Sequence, residues 1–204
     1  LGAQILSEAC RQLAAWRQAG LRIVPVAVNV SPLQLLDANF PAQVMQTLRL
    51  HNLPPRALTL EITETAAVTH MDQAMAHIKL LREQGVEVAL DDFGTGFSSL
   101  NMLRSLPLQT VKIDRSLIDP MPNTEAVAVV KAICDLASVL DLDVVAEGVE
   151  TPEHARAARE AGCHALQGYL YARPLSVDEA TSWLARATLA NQAGADSGFH
   201  TTLV

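Results

Sequence analysis

Apolar residues recur along the chain with two alternating spacings, a period of two residues and a period of three to four residues. The first spacing predicts β-strands and the second predicts amphipathic helices. The predicted strands are 21–31, 58–63, 86–91, 109–114, 142–147 and 164–169. The predicted helices are 2–19, a short piece between Pro32 and Pro41, 42–51, 72–84, 98–105, 125–140, 152–161 and 176–189. Residues 190–204 show no periodicity, which indicates one domain over 1–189 followed by a flexible C-terminal tail.

Strands and helices alternate with short connections, which favours a parallel sheet with crossover helices. The strands of a doubly wound open sheet would be apolar on both faces. Here each strand has one aliphatic face and one face of small residues that ends in a polar side chain. This pattern is typical of an α/β barrel, with the aliphatic face under the helices. Six strands are predicted, and a closed barrel of this type has eight.

Composition narrows the function classes. The chain has 204 residues, a net charge of −7 and only 4% aromatic residues. This argues against a polymeric nucleic-acid or anionic membrane surface, although an acidic protein can bind a phosphate ligand through metal ions. No segment is apolar and long enough to span a bilayer. The three cysteines, Cys10, Cys134 and Cys163, show no paired spacing, so we expect neither a zinc site nor a disulfide framework. We expect a reduced, cytoplasmic location instead.

The last inward-facing residues of five predicted strands are an amide, three acids and a lysine: Asn29, Glu61, Asp91, Glu147 and Lys112. In a parallel barrel these carboxyl ends meet on one face, where active sites lie. Carboxylates at such short distances raise one another's pKa unless a cation lies between them. Oxygen ligands without His or Cys favour Mg²⁺, Mn²⁺ or Ca²⁺ over zinc. Each acid could instead cap the next helix, but the shared parity of five strand ends favours a metal site.

The pair Asp91-Asp92 can aim at one point only if the backbone turns between or just after the two residues. Gly94 and Gly96 permit such a turn, and the pair could then reach two ions. The alternative is a simple strand-to-helix loop, with Asp92 or Ser98 as the helix cap.

Lys112 alternates with Val111 and Ile113, which lie on the opposite face of the predicted strand. We therefore expect its ammonium group to point toward the acids rather than into solvent. A lysine beside bound metal could polarise or deprotonate a water molecule.

Six segments, in order along the chain, closely resemble motifs of the EAL domain, a family of bacterial phosphodiesterases that hydrolyse cyclic di-GMP to linear pGpG. They are residues 28–31 (VNVS), 60–64 (LEITE), 91–96 (DDFGTG), 111–114 (VKID), 146–150 (AEGVE) and 167–169 (QGY). The resemblance implies a TIM-like (β/α)8 barrel whose site holds two Mg²⁺ or Mn²⁺ ions. Such ions would neutralise the phosphodiester and activate water.

The resemblance also implies residue roles. The implied metal ligands are Asn29, Glu61, Asp91, Asp92 and Glu147. The implied catalytic residues are Lys112, at the attacking water, with Glu147, Gln167 and Glu64, which holds the loop Asp92–Ser99. The implied substrate contacts are Asp114, Gly168 and Tyr169. A homodimer through that loop and the following helix is expected, as is fusion to an upstream sensory or GGDEF-type domain that could supply a membrane anchor.

One part of the family pattern is missing. The strand with Glu-Ala-Leu and a following arginine, which gives the family its name, is not found before the first helix. Its glutamate would be a further metal ligand, and its arginine would contact a ligand phosphate. We expect the first two barrel strands to come from upstream sequence or another chain. We also expect weaker metal binding and impaired hydrolysis by this segment alone.

Two other functions stay open. A receptor would bind cyclic di-GMP without cleaving it. An enolase-like barrel would use Lys112 as a proton-abstracting base beside Mg²⁺. The dimer has local support in four apolar side chains in and after the glycine-rich loop, which could equally pack on the barrel: Phe93, Phe97, Met102 and Leu103.

Overall fold

A computed structural model describes residues 2–69, 71–96 and 100–192. The strands are β1 (Val26–Val30), β2 (Leu58–Thr63), β3 (Glu87–Phe93), β4 (Thr110–Ile113), β5 (Asp143–Ala146) and β6 (Ala165–Leu166). The helices are α1 (Gly2–Gln18), α2 (Pro32–Leu35), α3 (Phe40–Leu50), α4 (Glu64–Thr69), α5 (Met71–Glu83), α6 (Leu100–Ser105), α7 (Arg115–Ile118), α8 (Thr124–Val139), α9 (Pro152–Ala161) and α10 (Val177–Gln192). A 3₁₀ turn, Pro55–Ala57, precedes β2.

The six strands form one sheet in the order β1 to β6, and every neighbouring pair is parallel. Sequential order confirms the barrel-type α/β fold, because a doubly wound sheet reverses its strand order at a switch point. The sheet curves far enough for the last helix to reach the first. Trp16 of α1 donates an indole hydrogen bond to Thr181 of α10 at 2.7 Å, and the Arg22 amide donates to Thr188. Within the described residues, β1 and β6 are the two edge strands.

The two faces of the sheet differ as the strand patterns predict. Leu60, Val88 and Val111 lie on the helix-covered face and are at most 1% exposed. Thr59 and Lys112 lie on the other face and are also buried. The core is therefore aliphatic under the helices and polar inside the curved sheet, so the inward face can carry chemistry.

Some predicted boundaries are wrong. The first strand starts at Val26 rather than at residue 21, directly after Pro25, which has no amide hydrogen for a strand ladder. The last strand has only two residues because the chain turns away against Val149, whose amide donates to the Gln167 carbonyl. Helix α10 continues to Gln192, so residues 190–192 of the predicted tail are helical. Residues 193–204 lie outside the described part.

The structure does not support the local argument for a dimer. Phe93, Met102 and Leu103 are at most 7% exposed and belong to the core of the domain itself. Phe97 lies outside the described residues. The three described residues therefore pack on the barrel, as the alternative predicts. No helix in the described ranges has the length and apolar character needed to cross a bilayer.

Candidate metal centre

Lys112 lies at the centre of the inward face, and three acids surround its ammonium group. The Lys112 Nζ atom is 2.6 Å from Glu61 Oε1, 3.1 Å from Asp91 Oδ1 and 2.6 Å from Glu147 Oε1. Lys112 is 5% exposed and Glu61 is 2% exposed. One positive charge therefore faces three negative groups in a mostly buried site. Because one ammonium group balances only one carboxylate, the site has an excess of negative charge.

Strand register explains how these side chains meet. Glu61 pairs with Ala89, two residues before Asp91, and Lys112 pairs with Val145, two residues before Glu147. The three acids therefore start from different levels along the sheet. Because side chains alternate between the two faces of a strand, the three acids still lie on one face of the sheet. The Lys112 side chain is long enough to reach acids at different heights along the strands.

Asp91 and Asp92 are brought to one site by a bulge in β3. The register of β3 with β4 shifts between Leu90 and Phe93, so that β3 contains one extra residue. Asp92 adopts a left-handed conformation with φ +56°, which aspartate tolerates better than most residues. The predicted turn therefore lies at Asp92 itself as well as at Gly94 (φ +105°).

Asp91, Asp92 and Glu147 can act together as ligands. Each offers one carboxylate oxygen, and these atoms lie within 4.8 Å of one another. Glu61 Oε2 and Asp91 Oδ1 are buried and accept no hydrogen bond, although Asp91 Oδ1 lies within ion-pair distance of Lys112. Buried carboxylate oxygens without donors are costly, and a hard divalent cation would satisfy them. The donor set therefore fits Mg²⁺ or Mn²⁺.

The pKa shifts report the same charge imbalance. Burial raises the pKa of Glu61 and of Glu147, and the Lys112 ammonium offsets this only in part. Burial also raises the pKa of Asp92, and the negative charges of Asp91 and Asp114 add to the effect. Burial lowers the pKa of Lys112, but the carboxylates of Glu61 and Glu147 outweigh burial and raise it overall. The carboxylates around Lys112 thus favour its ammonium form.

Two predicted site residues lie at the margins of this cluster. Asn29 on β1 pairs in register with Glu61 and shares its side of the sheet, but Asn29 is exposed. Gln167 follows β6, and its amide donates to the Ala146 carbonyl at 2.8 Å. Gln167 is therefore fixed beside Glu147, the residue after Ala146.

Glu64 is 6% exposed at the start of α4. A Cβ atom built on Gly96 would lie 3.4 Å from its carboxylate, so Glu64 contacts the described part of the loop. Residues 97–99 of that loop lie outside the described residues.

Asp114, an implied substrate contact, directly follows β4 and caps helix α7. It accepts a hydrogen bond from the Ser116 amide at 2.9 Å, at the start of α7. Burial raises its pKa, but the hydrogen bonds from Ser116 lower it overall. Asp114 thus acts as a helix cap, whereas Glu61, Asp91 and Glu147 turn toward Lys112.

Gly168 and Tyr169 lie on the rim of the sheet after β6. A Cβ atom on Gly168 would be 2.2 Å from the Val149 carbonyl oxygen, so only glycine allows this close backbone approach. Tyr169 is 49% exposed, and the Arg173 guanidinium lies 4.7 Å from the centre of its ring. Tyr169 therefore presents a half-exposed ring at this rim, with Arg173 over it.

Sequence reasoning missed Arg115, which follows the segment 111–114 directly. Its guanidinium pairs with Glu150 at 2.9 Å and with Asp119 at 2.9 Å. Its aliphatic stem lies where a side chain on Gly148 would be, next to Glu147. Arg115 thereby connects the end of β4 to the loop after β5. Its position directly after the segment 111–114 could have indicated this role from the sequence.

Comparison with known proteins gives consistent matches. A family model described as EAL domain matches residues 1–174. The cyclic di-GMP phosphodiesterase NbdA of Pseudomonas aeruginosa is 42% identical over 172 residues, which cover 84% of this chain and 22% of NbdA. The EAL domain of Mycobacterium smegmatis DcpA has a TM-score of 0.87 and 37% identity, over 92% of this chain and 85% of that one.

A PaMucR phosphodiesterase in complex with c-di-GMP has a TM-score of 0.82 and 39% identity, over 88% of this chain and 73% of that one. The chain spans only 22% to 26% of the length of the first curated relatives it matches.

Proposed function

The chain belongs to the EAL domain family, and on that basis we propose that it is a cyclic di-GMP phosphodiesterase domain that produces linear pGpG. The observation that carries the proposal is the cluster at Lys112, where three acids share one ammonium group and two buried carboxylate oxygens accept no hydrogen bond. The excess negative charge attracts divalent cations, which in turn can bind an anionic nucleotide.

In this proposal two divalent ions, Mg²⁺ or Mn²⁺, are bound by the five predicted ligands: Asn29, Glu61, Asp91, Asp92 and Glu147. When bound, such ions supply positive charge to phosphoryl oxygens and activate water. The bulge at Asp92 supports the assignment, because it brings the carboxylates of Asp91 and Asp92 close to that of Glu147.

Lys112 acts as a fixed cation rather than as a base. Its ammonium lies 2.6 Å from both Glu61 and Glu147, and these carboxylates raise its pKa and so favour its charged form. A protonated lysine donates hydrogen bonds and stabilises negative charge. We assign it to orienting the attacking water and to stabilising the charge that develops on the phosphoryl group. Gln167 and Glu64 are assigned supporting roles, Gln167 beside Glu147 and Glu64 at the loop that begins at Asp92.

The nucleotide would bind over the carboxyl ends of the strands, where Asp114, Gly168 and Tyr169 lie. Tyr169 offers an exposed ring on which a guanine base can stack. A solved relative, the PaMucR phosphodiesterase, forms a complex with c-di-GMP. The chain spans 22% to 26% of the length of the first curated relatives, so we also propose that it works as one domain of a larger cytoplasmic signalling protein, joined to sensory or GGDEF-type domains. A dimer is proposed from the family resemblance alone, since Phe93, Met102 and Leu103 pack in the core of the domain.

The direct test is hydrolysis of cyclic di-GMP by the full-length protein, first treated with EDTA and then supplied with Mg²⁺ or Mn²⁺. Chromatography should show linear pGpG only when a divalent ion is added. Asp91→Asn should lower turnover at least about 100-fold, since the metal charge contributes several kcal/mol to the transition state. Asp135→Asn is the matched control, because Asp135 is an exposed acid paired only with Lys131 in the described structure.

Binding and turnover should be measured on the same sample. Tight binding of cyclic di-GMP with no pGpG at any Mg²⁺ or Mn²⁺ concentration would refute the phosphodiesterase proposal and indicate a receptor. Full activity of Asp91→Asn would refute the proposed metal site.

A further inference from the structure

Two of the three cysteines, far apart in sequence, are neighbours in the fold. The sulfur atoms of Cys134 on α8 and Cys163 after α9 are 3.7 Å apart, and 29 positions of sequence separate the residues. Both thiols are free and buried. They take no part in the metal centre, and the spacing of the cysteines in the sequence does not indicate this pairing.

The backbone at this point brings the two elements unusually close. Helix α9 ends at Gly162, which has φ +106°, and a Cβ atom there would lie 3.2 Å from the Cys134 Cβ atom. The Cys163 amide then donates to the Ala158 carbonyl at 3.0 Å, which fixes Cys163 against the end of α9. The Cys163 side chain therefore starts from a fixed backbone position directly beside α8.

From this geometry we propose that Cys134 and Cys163 are an oxidisable dithiol, which hydrogen peroxide converts into an intramolecular disulfide. The sulfur separation must close from 3.7 Å to about 2.05 Å, the length of a disulfide bond. Small side-chain rotations and a slight approach of α9 to α8 supply this movement. The proposal does not depend on the phosphodiesterase function.

The two thiols have different surroundings, although either sulfur can donate the hydrogen bond between them. The contact between the two sulfurs lowers the pKa of Cys134, whereas the same contact together with burial raises the pKa of Cys163. These directions favour Cys134 as the first nucleophile, but the same disulfide forms if the Cys163 sulfur reacts first. Residual exposure is 5% for Cys134 and 8% for Cys163, whereas Cys10 on α1 is 0% exposed. A small oxidant should reach the pair before it reaches Cys10.

In the first step the Cys134 sulfur attacks one peroxide oxygen, the O–O bond breaks, and the other oxygen leaves as water after it takes a proton. The product is a sulfenic acid on Cys134. In the second step the Cys163 sulfur, having lost its proton, attacks the Cys134 sulfur. The S–S bond forms, the S–O bond breaks, and the hydroxyl leaves as water. Overall, two thiols and one hydrogen peroxide give one disulfide and two waters.

The test is to treat the folded protein with hydrogen peroxide, block the remaining thiols with an alkylating agent, and map peptides by mass spectrometry without reduction. We expect a peptide pair linked through Cys134 and Cys163, with alkylated Cys10. The linked protein should melt roughly 5–10 °C higher than the reduced protein, because the bridge restricts the unfolded chain. Dithiothreitol should reverse both changes.

Variants separate the pair from the third cysteine. Cys163→Ser should leave Cys134 with a sulfenic acid that a dimedone probe traps, and it should lose the linked peptide. Cys10→Ser is the matched control and should form the link at the wild-type rate. The inference is overturned if the link forms only after the protein is unfolded, if Cys10 is the partner, or if folded wild-type protein shows no link. The wild-type peptide map decides the matter even if a variant fails to fold.

Discussion

Replacing Lys112 by methionine tests the electrostatic account of the centre directly. Methionine has a similar length and volume, so the change removes the charge without creating a large cavity. It leaves the carboxylates of Glu61, Asp91 and Glu147 buried near one another without their shared ammonium. The effect on packing is small because methionine fills nearly the same buried volume as the Lys112 side chain, which is 6% exposed.

The expected loss follows from the three contacts of 2.6, 3.1 and 2.6 Å. At an effective dielectric constant of about 20, each attraction is roughly 5 to 6 kcal/mol. The cost of removing the ammonium from water and the repulsion between the acids offset most of this sum. Removing one partner of a buried ion pair costs about 3–5 kcal/mol, and we expect a loss in that range for protein in EDTA. For a chain of this size the melting temperature should fall by roughly 6–20 °C.

The assay is thermal unfolding followed by circular dichroism, with EDTA and with added Mn²⁺. Mn²⁺ should narrow the gap between Lys112→Met and wild type, because the ion supplies the missing positive charge to the same carboxylates. Lys131→Met is the matched control. Lys131 pairs with Asp135 at 2.9 Å on the surface, with side-chain exposures of 58% and 66%, so its loss should cost less than about 0.5 kcal/mol.

Equal melting temperatures for Lys112→Met and wild type in EDTA would refute the reasoning. So would a gap that Mn²⁺ leaves unchanged, since the acids would then not share one charge-compensated site.

Three further outcomes are expected. Asp92→Gly should keep or raise stability because it relieves the left-handed backbone (φ +56°), whereas Asp92→Ala should cost about 1 kcal/mol, and both should weaken Mn²⁺ binding measured by calorimetry. Gly168→Ala should lower the free energy of unfolding by about 1–3 kcal/mol in urea titrations, because its Cβ would clash with the Val149 backbone; Gly20→Ala, in open space, should show only the smaller cost of its positive φ. Burial raises the pKa of Cys10 from 9.0 to about 11, so the folded protein keeps a proton that the unfolded chain loses. The free energy of unfolding of the wild type, relative to that of Cys10→Ala, should therefore fall as the pH rises from 9.0 to about 11, by at most about 1.4 kcal/mol per pH unit. A difference between the two proteins that does not change with pH would contradict this expectation.

The sequence predicted the number of strands, their parallel order and the face on which the site lies. Those features depend on local periodicity: a strand with aliphatic residues on one side must turn its other side inward, whatever its neighbours are. That Glu61, Asp91 and Glu147 lie on one face was predicted in this way, because side-chain parity and strand ends can be read along the chain. The short first strand was also readable in principle, since Pro25 cannot donate to a ladder.

Other features depended on residues that meet only in the folded chain. The bulge that turns Asp92 into the cluster arises from the register between β3 and β4, and register depends on both strands at once. The sequence placed Lys112 beside the acids but did not show that it is their shared counter-ion, because that depends on how far three strands are offset. The contact of Cys134 with Cys163 likewise depends on how closely α8 and the end of α9 approach. Short-range pattern determined the elements and their faces, and long-range packing decided which charges and thiols share a contact, because only packing sets the distances between distant parts of the chain.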